Sequence, residues 1–328
     1  MELELNSRLR AEAYRRWCAL MADAGLTPGS APEITALLWD GEALAAAASR
    51  QGNVLKYIAV APAYQGQDLT ARVLTALRQD AFARGITHLF LYTKPRNEAL
   101  FTPLFFYPVI RTDEVLLMEN VRGGVERYLS GLPVPCRRGT VGAAVMNCNP
   151  FTRGHRYLIE KAAGECDWLY VLVLSEEQEP FPAEDRLRLV REGTAELKNV
   201  TVVPSGPYLI SSATFPDYFL KDRDSIQQTH CLLDVRIFTR YYAPHLGITR
   251  RYVGSEPLSA LTAQYNEALK AHLPPCGIEV REIPRLESGG QPVSAGEVRT
   301  LLGTGQEEAL RRLVPETTLA YLKEKHMI

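Results

Sequence analysis

Apolar and polar positions divide the chain into two stretches of different character. In the first, Leu9, Ala13, Trp17 and Leu20 recur at helical spacing and predict an amphipathic helix over residues 2–21. Residues 34–39 and 42–48 read as strands turned at Asp40-Gly41, a dipeptide that favours a tight hairpin. A strand over 54–60, a turn over 62–67, a helix over 69–84 closed by Gly85, and a strand over 88–93 follow. Then come Gly123-Gly124 and the proline-bearing stretch 130–139 with its basic pair Arg137-Arg138, which predicts a linker.

Beyond it, strands and helices alternate. Residues 141–146 are small and apolar, as in a strand buried on both faces. Asn147-Cys148-Asn149-Pro150 ends that strand in a turn, and helical spacing resumes from Gly154 through Tyr157, Leu158 and Ala162-Ala163. Strands over 167–174, 200–203, 250–253 and 278–283 are expected, with helices over 183–197, 231–242 and 259–272 and a last pair after Ser294. Such alternation builds an open, doubly wound parallel sheet that binds ligands beyond the carboxyl ends of its strands. The expected domains are residues 1–135 and 136–328.

Composition narrows the partners. The 328 residues suggest two domains at roughly 150 residues each. Lys plus Arg number 37 against 38 Asp plus Glu, which argues against nucleic acid or an anionic membrane as main partner but allows a local phosphate site. The six cysteines are scattered without a CxxC pair, so reduced thiols in a cytoplasmic protein are the expectation, with Cys148 a small buried filler. No apolar run approaches the ~20 residues that span a bilayer, and the N-terminus lacks a signal-peptide core.

The chemistry concentrates where the strand 141–146 turns into a helix. A tight loop there aims backbone N–H groups and a positive helix end at an anion. Thr152 either caps the helix or donates to a phosphate oxygen, Gly154 admits close approach, and His155 projects from the first turn. A plain corner with a cap and a surface histidine is the alternative. The run Asn-Pro-Phe-Thr-Arg-Gly-His resembles the T/HxGH signature of the nucleotidyltransferase superfamily, and NCNPFTRGHRYLIEKAA is similar to its citrate lyase ligase branch. Residues 293–299, VSAGEVR, resemble the superfamily's second, ISSTKIR-type motif, with Glu297 where a basic residue is usual.

The resemblance implies roles for particular residues. His155 would steady the α-phosphate, with Thr152 and Arg299 beside it. Ser294 would offer its hydroxyl to the outer phosphates. Asn147, Asn149 and Phe151 would shape the loop or reach the phosphates, and Gly154 would let them approach. Arg186, in the segment FPAEDRLRLVR, either approaches the nucleotide or is a solvated helix residue. Gly254 and Glu256, in Gly-Ser-Glu-Pro, would border adenine or ribose. Ser211, Ser212 and Thr214, in YLISSATFPDYFLK, would contact a carboxylate or phosphate or satisfy their own turn.

The first stretch, with AVAPAYQGQDL before a long helix, resembles the GNAT acetyltransferase fold. Aligned on Gln65, however, Asp68 and Thr70 stand where the pyrophosphate loop of that fold has glycines. Docking of a carrier and pure scaffolding both stay open for it. The whole implies an N-terminal GNAT-like α+β domain before a Rossmann-like nucleotidyltransferase domain, using ATP and Mg²⁺. Acetate would form acetyl adenylate, and the thiol of the citrate lyase acyl carrier, on its phosphoribosyl-dephospho-CoA arm, would then take the acetyl group. No general base is needed, because a carboxylate with pKa about 4 to 5 is already ionised at neutral pH. An adenylyltransferase of the pantetheine-phosphate or nicotinate-mononucleotide type, a nucleotide sensor, and a GNAT acetyltransferase with an inert second domain remain open alternatives.

Overall fold

The computed structural model describes residues 1–27, 32–134, 139–209, 218, 223–256 and 259–328. Ser211, Ser212 and Thr214 lie outside the described residues. The chain divides into two units, Met1–Gly124 with Pro216–Thr229, and Val125–Phe215 with His230–Ile328.

The first unit is a mixed seven-stranded sheet with helices Ala11–Asp23 and Leu69–Ala83 packed on it. Its strands are β1 (Glu2–Asn6), β2 (Ile34–Asp40), β3 (Ala43–Gln51), β4 (Val54–Val60), β5 (Phe90–Thr93), β6 (Tyr107–Arg111) and β7 (Leu116–Glu119), in the order β1-β2-β3-β4-β5-β7-β6. The Asp40-Gly41 turn joins β2 to β3 as expected, with Asp40 opposite Ala43. Residues 2–6 are a strand rather than the start of the first helix. ELELN alternates with a period of two and completes the open edge of β2, pairing Leu3 with Leu38. Strands β4 and β5 run parallel but pair only through Val54–Phe90 and Leu55–Leu91. A cleft of about 720 Å³ in this unit is lined by the later residues of both strands together with Gln65, Asp68 and Thr70. Asp68 holds the left-handed φ of 54° at the start of its helix, the backbone state for which a glycine is usual.

The second unit is a five-stranded, all-parallel sheet of β8 (Val141–Met146), β9 (Trp168–Val173), β10 (Val200–Pro204), β11 (Arg250–Gly254) and β12 (Glu279–Ile283). Their order is β10-β9-β8-β11-β12, so the direction of winding reverses between β8 and β11. At that point the loops after the two strands diverge and leave a crevice at the carboxyl ends. Alternation along β11 sorts its side chains to two faces. Tyr252 joins Ala144, Val171, Ile159 and Leu189 in one core, while Arg251 faces Phe238 on the other side. The helix expected over 231–242 begins earlier, at Arg223, and passes through a π-helical turn, Phe238–Tyr242, before a last α-helical turn, Ala243–Leu246. Among the described residues no helix is long and apolar enough to cross a membrane.

Candidate active site

The loop after β8 is built to hold one histidine. Thr152 is the N-cap of the helix Arg153–Gly164. Its hydroxyl accepts from the His155 amide at 3.3 Å, and its own amide donates to His155 Nδ1 at 3.1 Å, forming a reciprocal capping box. An amide N–H can only donate, so Nδ1 is the acceptor and the neutral ring carries its proton on Nε2. The Thr152 hydroxyl, 2.9 Å from Nδ1, reinforces the arrangement. Burial, and secondly the Arg285 guanidinium, push the His155 pKa down to about 4, so the ring is uncharged at neutral pH. Thr152 thus caps the helix and holds the ring.

Beneath the loop, two buried groups fix its path. Phe151 is fully buried against Gly193 and passes its carbonyl to the Thr318 hydroxyl at 2.9 Å. Arg186, also fully buried, donates to the carbonyls of Phe181, Asn147 and Glu176 and to Asn147 Oδ1. A guanidinium so occupied braces the loop from behind; it is not part of the crevice lining, and neither are Asn149 and Phe151. The amides of Asn147 and Asn149 both donate to Gln178 Oε1, at 2.8 and 3.1 Å, which the sequence alone did not suggest. Cys148 is buried with a left-handed φ of 53°, and burial raises its thiol pKa far out of the reactive range.

The second motif closes on the first. Ser294 caps the helix Ala295–Leu301, accepting from the Glu297 amide at 3.1 Å. Arg299 donates to the Asn149 carbonyl, tying the two segments together. A Cβ on Gly154 would stand 3.3 Å from the Val293 carbonyl, so the contact between the segments leaves little room there. Asn147, Thr152, Gly154, His155, Gly254, Glu256, Ser294 and Arg299 all line one cleft of about 570 Å³.

Opposite the loop, Glu256 is ion-paired with Arg285 and accepts from the Ser259 amide at 3.1 Å. Arg285 also donates to the Ser255 carbonyl at 2.8 Å. The Glu256 pair thus anchors Arg285, whose charge is felt at His155. Arg285 escaped the sequence reading, although a basic residue just past a strand's carboxyl end was the available signal. The cleft collects donors and positive charge around an uncharged histidine. It suits a polyanion.

The model of the citrate lyase ligase C-terminal domain matches residues 141–322, and that of the acetyltransferase (GNAT) family matches residues 4–101. The citrate (pro-3S)-lyase ligase of Klebsiella pneumoniae is 44% identical over 279 residues, covering 83% of this chain and 82% of its own. That of Escherichia coli (strain K12) is 42% identical over 291 residues, covering 86% and 82%, and that of Haemophilus influenzae 34% over 294 residues, covering 87% of each. With both its cleft-forming half and most of its full length matched in this way, the chain belongs to the citrate lyase ligase family.

Proposed function

We propose that this chain acetylates the thiol of the citrate lyase acyl carrier, on its phosphoribosyl-dephospho-CoA arm, using acetate and ATP in the cytoplasm. An acetate oxygen attacks the α-phosphorus, the bond to the β-phosphate oxygen breaks, and pyrophosphate leaves. The carrier thiolate then attacks the carbonyl carbon of acetyl adenylate, its C–O bond breaks, and AMP departs with that oxygen. His155 donates from Nε2 to an α-phosphate oxygen, and Ser294 and Arg299 hold the outer phosphates. Thr152 fixes the imidazole, Asn147, Asn149, Phe151 and Arg186 fix the loop, and Gly254 and Glu256 border the nucleoside.

The observation supporting this most is the convergence of both motifs on one cleft around a histidine that is neutral and has its free N–H defined. A neutral donor stabilises charge on the transferring phosphorus without titrating near pH 7. Among the described residues no cluster of three His, Cys, Asp or Glu could hold a metal ion. The Mg²⁺ that the family resemblance implies would be brought on the phosphates of ATP and would help neutralise charge developing on them. Pyrophosphate release from ATP, with acetate, acetyl-CoA or a phosphopantetheine-type ester supplied in turn, tests the reading. Release that ignores acetate contradicts it.

A further inference from the structure

Among the described residues of the second unit, one buried arginine keeps two donors without a hydrogen-bond partner. Arg251 on β11 is 3% exposed, with its guanidinium carbon 4.8 Å from the centre of the Phe238 ring. Neither Nε nor Nη1 finds an acceptor among the described residues. Its strand neighbour shows the contrast, since Arg250 donates to the Glu279 carboxylate and the Glu165 carbonyl, both at 2.7 Å. Leaving buried donors of a charged group unpaired is costly, so a retained case asks for an acceptor that arrives later. Arg251 lines the same cleft as His155. Asp234 and Arg251 both act on Tyr265, but Asp234 accepts the Tyr265 hydroxyl, and His230 sits 6.3 Å from the Tyr265 ring.

We propose that Arg251 recognises the carboxylate of the acid substrate, holding a small monocarboxylate at the floor of the cleft. This rests on the reading of the site as acid-activating. In register, Arg251 pairs with Ala143, three residues before the end of β8. That is about 10 Å of strand rise below the loop that carries His155, a backbone distance that the long arginine side chain and the acid it holds together span to the α-phosphate. The donors suited to a triphosphate (His155, Ser294, Arg299 and Arg285) lie on other segments of the cleft, so Arg251 is not needed for it. A single guanidinium over the Phe238 ring matches a monoanion with a small apolar end. A phosphate dianion there would leave oxygens without donors.

Full-length Arg251→Met and Arg251→Lys are compared with the wild type in pyrophosphate release, varying acetate and ATP separately. Arg251→Met should raise KM for acetate about 10- to 100-fold, the loss expected for hydrogen bonds to a charged group, and leave KM for ATP within about two-fold. Arg251→Lys should fall between. Because the orphan donors are gone, Arg251→Met should melt no lower than the wild type. Acetate binding to the ATP-free protein, followed by NMR of labelled acetate, should be lost in Arg251→Met. An unchanged KM for acetate, equal changes for acetate and ATP, or a destabilised Arg251→Met with a wild-type Arg251→Lys would each overturn the assignment while the parent reading stands. A wild type whose pyrophosphate release ignores acetate would sink both.

Discussion

Arg186 separates two ways in which an arginine serves a phosphate loop. Arg186→Met keeps roughly the side-chain volume but removes the only donor named above for three backbone carbonyls, those of Phe181, Asn147 and Glu176. Each buried acceptor left unsatisfied costs about 1–3 kcal/mol, so the simple sum begins near 3 kcal/mol. Removing a charge whose pKa burial already depresses returns part of that. A net loss of about 2–4 kcal/mol is expected, a large share of a typical 5–15 kcal/mol. The assay is the urea midpoint, with ATP titrated against both Arg186→Met and Arg186→Lys. Lysine keeps the charge but not the fork that reaches several carbonyls, so Arg186→Lys should also be destabilised. If Arg186→Lys is as stable as wild type and only its ATP affinity falls, Arg186 is a phosphate ligand and the bracing argument is wrong.

Three further outcomes follow from the same geometry. Alanine at position 193 would place its Cβ 2.4 Å from Phe151 Cε1, so Gly193→Ala should lose about 1–2 kcal/mol in denaturant unfolding despite alanine's better helix propensity; a gain would show that the ring can move. Thr152→Val removes the cap hydroxyl and should cost about 1 kcal/mol while lowering kcat more than it raises KM for ATP. Equal stability and rate would remove Thr152 from the ring-holding role. The His155 pKa is depressed to about 4, so the unfolded state binds the extra proton first. Its contribution to stability is complete above about pH 6.5 and is lost as pH falls toward 4. The rate should show no titration near 6.5, and a break there would contradict the neutral-donor assignment.

Much of the site was legible because its signals are local. A small apolar strand, the Asn-Cys-Asn-Pro stop, and Thr152 three residues before His155 specify a strand, a loop and a capped helix without help from distant residues. Ser294 announces its own helix in the same way. What escaped depends on partners far along the chain. Residues 2–6 are a strand only because β2 offers a free edge. Whether Arg186 points at a nucleotide or at the carbonyls of its own loop is decided by burial, to which sequence pattern is blind. Arg250 and Arg251 adjoin in an extended strand, so alternation required one of them to face inward; that was the unused sign of Arg251.

Under the proposed reaction, the acid's own oxygen reaches the α-phosphorus of ATP in the cleft between the two motifs. Turnover of acetate labelled with heavy oxygen in its carboxylate, in the presence of ATP and the citrate lyase carrier, tests it directly by mass spectrometry of the AMP released. AMP carrying one heavy oxygen is the predicted result. Unlabelled AMP, with the carrier acetylated all the same, would contradict it.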